Sequence, residues 1–295
     1  MGQALAEAFP AAREVFQEVD DALGRKLSRL MREGPMEELT LTANTQPALM
    51  AHSIAMLRVL HKEAGLDIEN AMFVAGHSLG EYSALCAAGA LSLADTARLL
   101  RTRGEAMQAA VPPGEGAMAA LIGADLDTAQ KAIDASAGEG VCEIANDNAP
   151  GQVVISGAKA RVEAVCVGAK AFGIKMAKLL PVSAPFHSSL MAPAAGAMAA
   201  ALEKATVRAP SPPLVANVIA REVVSPAEIR DLLVKQVTGR VRWRESALAM
   251  AGAGVSHFVE FGGKVVGPMI KRSAGDAVIS TLVDMADIEA LAKEI

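Results

Sequence analysis

Gly76-His77-Ser78-Leu79-Gly80 is the stretch of this chain best suited to carry chemistry. An apolar run, Ala71-Met72-Phe73-Val74-Ala75, precedes it and reads as a buried strand, and Glu81 to Ala90 follows and reads as a helix. A strand, a sharp Gly-x-Ser-x-Gly turn and a helix together lift one serine oxygen clear of the backbone at a helix N-terminus. Glycine is expected at both outer positions, because a Cβ there would collide with the neighbouring strand and helix. The free N–H groups and partial positive charge of the helix start suit an oxyanion forming at that serine. Ser78 is therefore the candidate nucleophile.

A serine hydroxyl needs a base. His77 adjoins Ser78, but such a turn points neighbouring side chains apart. His187 is the better candidate. It lies in Pro181-Val182-Ser183-Ala184-Pro185-Phe186-His187-Ser188, a loop directly after a predicted strand, where catalytic groups are commonly mounted. No acidic residue is an evident partner for that histidine. Glu260 and Asp284 stand at strand or loop ends without a supporting motif, and a backbone carbonyl would orient an imidazole equally well.

The helix expected from about Ser92 to Val111 has an apolar stripe of Leu93, Ala97, Leu100, Met107 and Val111. At about 100° per residue, Arg101 and Arg103 fall on opposite borders of that stripe and Arg98 faces solvent. Either border arginine could point into a cleft. Asn146-Asp147-Asn148-Ala149-Pro150-Gly151 reads as a turn by composition, although its amides could also hydrogen-bond a substrate.

The elements that must position these groups alternate along the chain. Residues 4–32 read as two short helices, with Pro10 breaking the pattern. Thr45-Gln46-Pro47 opens a long helix to about Ala64, with Thr45 as its cap and Pro47 in its first turn. After Pro112-Pro113-Gly114 the texture changes to strand (117–123), helix (126–137), strand (141–145), strand (152–156), helix (161–172) and strand (175–180). This βαββαβ order is the split βαβ, or ferredoxin-like, pattern. It divides the chain into an α/β core, 1–114 with 182–295, and an inserted subdomain, 115–181. The return half reads as helix 189–204, strand 214–217, helices 226–236 and 244–252, strand 256–260 and helix 264–273.

Whole-chain chemistry narrows the function classes. The 295 residues are 52% hydrophobic but only 3% aromatic, so the core must be built of aliphatic residues and methionine. A net charge of −5 argues against a nucleic-acid partner. The one cationic cluster, Arg240, Arg242 and Arg244 around Trp243, reads as a solvated face. Cys86, Cys142 and Cys166 lack CxxC spacing and the five histidines lack ligand spacing, so neither a disulfide framework nor a metal site is expected. No apolar run reaches the length of a membrane span and the N-terminus has no signal pattern. A cytoplasmic protein with no membrane partner is expected.

Taken together, Gly76-His77-Ser78-Leu79-Gly80-Glu81-Tyr82, Thr45-Gln46-Pro47, Arg101-Thr102-Arg103-Gly104, Asn148-Ala149-Pro150-Gly151-Gln152-Val153-Val154 and Pro185-Phe186-His187-Ser188 closely resemble the malonyl-CoA:acyl-carrier-protein transacylases, in the family's order and over nearly the whole chain. The resemblance implies an α/β-hydrolase-like core with a ferredoxin-like insertion. It also implies ping-pong transfer of malonyl from malonyl-CoA to the phosphopantetheine thiol of acyl carrier protein, with no bound cofactor and a monomeric enzyme. It assigns Ser78 as nucleophile, His187 as base and Arg103, rather than Arg101, as the partner of the malonyl carboxylate. Gln46 would line the acyl pocket, Leu79 would supply an oxyanion-hole N–H, and Gln236 would orient the histidine through its backbone carbonyl. Asn148 falls among the substrate-binding motifs, and Phe186 matches a bulky residue expected to crowd out an α-methyl branch. Polyketide-synthesis acyltransferases and a catalytically weak carrier-binding scaffold are the alternatives.

Two departures from the family pattern set further expectations. The family opens with an apolar strand and FPGQGSQ, whose first glutamine supplies the second oxyanion-hole N–H, whereas this chain starts at Met1-Gly2-Gln3. A truncated or mis-assigned start, or loss of that strand and donor, is expected from this. The usual GPGKVL reads Gly262-Gly263-Lys264-Val265-Val266, one residue shorter.

Overall fold

The computed structural model describes residues 1–293. The chain runs through helices α1 (Gln3–Ala8), α2 (Pro10–Leu23), α3 (Leu27–Glu33), α4 (Met36–Leu39) and α5 (Thr42–Ala64). Strand β1 (Val74–Ala75), α6 (Gly80–Ala87) and α7 (Leu93–Ala109) follow. Next come β2 (Gly116–Ile122), α8 (Leu126–Ala135), β3 (Cys142–Ala149), β4 (Gln152–Ala158), α9 (Lys159–Gly168) and β5 (Met176–Leu179). The remainder is α10 (Ala192–Lys204), β6 (Leu214–Val215), β7 (Glu222–Val223), α11 (Pro226–Thr238), α12 (Trp243–Gly252), β8 (His257–Phe261), α13 (Val266–Ser273), β9 (Val278–Leu282) and α14 (Met285–Leu291). This is a mixed α/β fold.

Strands β2 to β5 make one antiparallel sheet in the order β3-β4-β2-β5. Its inner face and helices α8 and α9 enclose an aliphatic core that includes Leu121, Ile133, Ile155 and Val162. A separate, larger core is packed by α2, α5, α7, α10 and α11. There β1 pairs in parallel with β6, and β6 pairs with β7. Strands β8 and β9 form a parallel pair beside a third cluster around Trp243. Among the described residues no helix is long and apolar enough to cross a membrane.

Helices α5 and α7 meet closely, for a reason only partly visible in the sequence. Helix α5 begins at Thr42, three residues before the expected cap, so Pro47 sits inside it. A proline there cannot donate to the carbonyl four residues back. That carbonyl belongs to Ala43, and Arg101 Nη1 of α7 donates to it at 3.3 Å. The displaced Thr45 instead donates its hydroxyl to the Leu39 carbonyl at 2.6 Å. One turn of α7 beyond Arg101, a Cβ on Gly104 would lie 2.5 Å from Ala43 Cα and 2.7 Å from the Thr42 carbonyl oxygen. The glycine is what lets the two backbones touch.

Several other sequence expectations are corrected. Pro10 starts α2 rather than merely interrupting a helix, so the first 33 residues hold three helices, not two. The strands expected at 71–75 and 214–217 shrink to two residues each. Strands β7 and β9 and helix α14 have no counterpart in the sequence reading. Asn146 to Ala149 is not a turn. It continues β3 with two irregularities in register, and only Pro150-Gly151 turns. The arginine cluster is not a solvated face either. Arg244 grips the buried Asp147 carboxylate, with Nε 3.0 Å from both oxygens, and Arg242 pairs with Glu245.

Replacing Gly104 with alanine must push α7 off α5. Overpacking of this kind costs about 1–3 kcal/mol. The urea midpoint of Gly104→Ala should fall accordingly, and an unchanged midpoint would mean that the helices separate without penalty.

Candidate active site

Ser78 sits at the sharpest bend between β1 and α6 with φ of 53°, a left-handed conformation that non-glycine residues seldom adopt. Strain of this kind persists only when its surroundings over-determine it. Gly76 is one such constraint, since a Cβ there would lie 2.0 Å from the carbonyl carbon and oxygen of Gly80. Gly80 itself does not fit the expectation, because a Cβ at that position meets nothing within 4 Å. The second constraint is Asn217. The parallel ladder pairs Ala75 with Val215 and then ends. Two residues further on, Asn217 Oδ1 accepts the Ser78 N–H at 2.7 Å and its Nδ2 donates to the Gly76 carbonyl at 2.8 Å. A side-chain amide thus continues the ladder where the backbone turns away. Sequence reasoning missed Asn217, whose only signal was its place at the end of a predicted strand.

The Ser78 hydroxyl lies 2.7 Å from His187 Nε2. On the far side of the ring, Nδ1 lies 2.8 Å from the Gln236 carbonyl. Gln236 falls in the last turn of α11, where carbonyls have no intrahelical donor and carry the negative end of the helix dipole. A carbonyl can only accept, so Nδ1 carries the proton and Nε2 presents its lone pair to the serine. Burial, then the charge of Arg103, push the His187 pKa down to about 3. The resting imidazole is therefore neutral, with the Nε2 lone pair free for the serine hydroxyl.

Arg103, 2% exposed, brings its guanidinium to the same oxygen. Nη2 lies 3.1 Å from Ser78 Oγ and 3.0 Å from Gln236 Oε1, and Nη1 lies 2.7 Å from Gln46 Oε1. Gln46 is held in turn by donating to Thr42 Oγ1 at 2.9 Å. All three acceptors are neutral. Among the described residues, no carboxylate pairs with this arginine. Arg101 is engaged elsewhere, with Glu105, Asn44 and the Ala43 carbonyl.

The acyl transferase domain family matches residues 1–262. The malonyl CoA-acyl carrier protein transacylase of Bacillus subtilis (strain 168) is 46% identical over 92% of this chain and 85% of its own length. That of Escherichia coli (strain K12) is 44% identical over 94% of this chain and 89% of its own. The chain belongs to the malonyl CoA-acyl carrier protein transacylase family. The crystal structure of an acyl-carrier-protein-S-malonyltransferase from Bartonella henselae superposes with a TM-score of 0.95 at 54% identity, covering 100% of this chain and 94% of that one. A malonyl-transacylase solved in complex with a type II PKS acyl-carrier protein gives a TM-score of 0.95 at 39% identity, covering 100% and 95%.

The remaining candidates of this transacylase family member fall around the same centre. Leu79 has helical φ and ψ of −57° and −29°, and among the described residues no acceptor takes its N–H. Asn148, on β3, accepts through its Oδ1 from the His77 Nε2–H at 2.8 Å, while the His77 ring packs edge-on against Trp243. His77 is thereby turned away from Ser78. Phe186 is half-buried and joins the large core to a small cluster of Met118, Ala145 and Val154. Glu260 and Asp284 take no part. Glu260 accepts the Val265, Val266 and Gly267 N–H groups at 2.7, 2.8 and 2.9 Å at the start of α13, and Asp284 forms a capping box with Asp287.

The depressed pKa of His187 makes a pH prediction. The folded protein keeps this ring neutral, while the unfolded chain protonates it below about pH 6.5. Its contribution to stability is thus intact above that pH and is lost as pH falls toward the folded value. By pH 5 the loss amounts to about 2 kcal/mol. His187→Asn should therefore lose less stability than the parent between pH 7 and pH 5 in urea titrations. Parallel losses would show that the folded ring titrates normally.

Proposed function

We propose that this protein transfers a malonyl group from malonyl-CoA to the phosphopantetheine thiol of an acyl carrier protein, in two half-reactions through a malonyl ester of Ser78. The observation that carries this reading is a buried guanidinium 3.1 Å from the candidate nucleophile, held among the described residues by neutral acceptors. An acyl group bearing its own carboxylate would complete that arrangement. The complex of a related malonyl-transacylase with a type II PKS carrier protein supports a carrier protein as the partner, with the same chemistry available to a polyketide carrier.

In the first half-reaction, the Ser78 oxygen attacks the thioester carbonyl as its proton passes to His187 Nε2. The tetrahedral oxyanion rests against the Leu79 N–H at the start of α6. Collapse breaks the carbon–sulfur bond, and the coenzyme A sulfur leaves with the proton from His187. In the second, the carrier thiol gives its proton to His187 and attacks the ester, and Ser78 recovers a proton as it departs. Acylation turns the Ser78 oxygen into an ester oxygen, a poorer acceptor for Arg103, which frees N–H groups on Nη1 and Nη2 for a bidentate grip on the malonyl carboxylate. Acetyl would leave that guanidinium unpaired. Gln46 and Gln236 hold the guanidinium plane, Asn148 borders the acyl site, and Phe186 fills the space an α-methyl branch would need.

The architecture that goes with this reading is an α/β-hydrolase-like core, residues 1–114 and 182–295, with a ferredoxin-like subdomain at 115–181. The strand order of the antiparallel sheet and its βαββαβ sequence support the second assignment. The elbow between β1 and α6 supports the first. We take the enzyme to act as a monomer without a bound cofactor.

Incubation with malonyl-CoA should add one malonyl mass at Ser78, and labelling that survives Ser78→Ala unchanged would overturn the ester intermediate. Arg103→Ala should depress malonyl transfer at least about a hundredfold more than acetyl transfer, since it removes a charged double hydrogen bond. Equal losses for the two acyl groups would assign the arginine to folding instead.

A further inference from the structure

Gln236 does two jobs with two different groups. Its backbone carbonyl holds His187, while its side chain lies between Arg103 and a buried carboxylate that the reaction does not use. That carboxylate is Glu81, on the first turn of α6 and 1% exposed. Gln236 Nε2 donates to Glu81 Oε2 at 2.7 Å and to the Ser78 carbonyl at 2.8 Å, while Gln236 Oε1 accepts from Arg103 Nη2 at 3.0 Å. The Asn217 N–H adds a weaker donation to Glu81 Oε2 at 3.3 Å.

These contacts allow the amide only one orientation. An ionised carboxylate and a carbonyl take donors only, and a guanidinium offers donors only. Reversing the amide would set its NH2 against Arg103 and its oxygen against Glu81 and the Ser78 carbonyl, so that three attractive contacts become repulsive. Once ionised, Glu81 is a charged acceptor in that set, and hydrogen bonds to a charged group are the stronger ones.

A purely structural role fits Glu81 poorly. The helix dipole gives an acid in the first turn a modest gain, yet here Oε1 is buried and, among the described residues, without a partner, which costs desolvation that nothing on that oxygen offsets. Burial pushes the carboxyl up to about 7, against the lesser pull of Gln236, Asn217 and Arg103. An acid raised in this way favours the folded state less as pH rises from about 4.5 to 7 and it ionises. The fold would be better served by a neutral group.

We propose that Glu81 is a positioning residue, which acts through the side-chain amide of Gln236 to hold the Arg103 guanidinium in the pose that selects a carboxylate-bearing acyl group. The proposal rests on the malonyl-transfer reading above. Glu81 touches no reacting atom. It fixes the amide, the amide fixes one arm of the guanidinium, and Gln46 fixes the other.

The test compares kcat/KM for malonyl-CoA and acetyl-CoA, with carrier protein as acceptor, in the parent, Glu81→Leu, Glu81→Gln, Gln236→Ala and the Glu81→Leu/Gln236→Ala double variant. Glu81→Leu should lower the malonyl-to-acetyl ratio at least about tenfold, the worth of one hydrogen bond to a charged group. Glu81→Gln keeps an acceptor but adds a donor, so its ratio should fall between that of Glu81→Leu and the parent. In the Gln236→Ala background, Glu81→Leu should change the ratio by less than about twofold, because the amide through which it acts is gone. The Tm of Glu81→Gln at pH 8 should equal or exceed the parent's. A parent-like ratio in Glu81→Leu, or an undiminished effect without the Gln236 side chain, overturns the proposal. If Glu81→Leu fails to fold, a parent-like ratio in Glu81→Gln overturns it equally. A parent that transfers acetyl as well as malonyl would instead overturn the malonyl reading, and this inference with it.

Discussion

The buried guanidinium of Arg103 is the constraint around which the rest of the site is arranged. A cation taken out of water must recover its lost solvation from nearby oxygens. Here the oxygens are those of Gln46, Ser78 and Gln236, carried by α5, the elbow and α11. Three elements far apart in sequence therefore have to converge on one side chain of a fourth. The close approach of α7 to α5 at Gly104, and the Arg101 bond to the carbonyl that Pro47 orphans, are the packing that lets them do so. The aliphatic core supplies the driving force, but the polar centre dictates where the helices end up.

The same constraint explains why the imidazole is oriented by a helix end rather than by an acid. A carboxylate at Nδ1 would place a full negative charge close to Arg103 and compete with an incoming anion for it. The Gln236 carbonyl offers only the partial charge of a last-turn peptide group, which is enough to fix the tautomer. The centre formed by Ser78, His187 and Arg103 then keeps a net positive charge. That charge holds the imidazole pKa down, since burial and Arg103 both disfavour protonation. The neutrality of the resting imidazole and the readiness of the site to accept an anion thus have a common electrostatic origin.

How much of this was legible in the sequence follows from the range over which each constraint acts. The elbow was legible because it is local. Gly76 is needed by a contact four residues away, within a single turn. His187 and Arg103 were legible only as candidates. Periodicity left Arg101 and Arg103 equivalent, and what separates them is the contact of α7 with α5, a tertiary fact with no period. The motif resemblance supplied the choice that pattern alone left open. Asn146 to Asn148 were misread because asparagine and aspartate favour turns by bonding their own backbone, whereas here the Asn148 and Asp147 side chains are spent on His77 and Arg244, and the strand backbone pairs with Val241. Asn217 and Glu81 gave almost no signal, since one is a single amide after a two-residue strand and the other an ordinary-looking acid at a helix start.

The base is also the place where the two cores are joined. The aliphatic cluster of β2–β5, α8 and α9 is separate from the larger core. The sheet meets the rest of the molecule through Phe186, through the backbone pair of β3 with Val241, and through polar bonds that include His77 to Asn148, Arg244 to Asp147, and the Ser189 N–H to Glu143 at 2.6 Å. Phe186 and Ser189 flank His187 closely in the chain. The histidine thus rides on a short loop anchored on one side by α11 of the larger core and on the other by β3 of the sheet. An apolar interface would have tolerated small slips of one core over the other, because burial is non-directional. Hydrogen bonds tolerate much less, since they weaken steeply with angle. Joining the cores by directional bonds at either side of the base ties the 2.7 Å contact between His187 and Ser78 to the docking of the whole 115–181 segment.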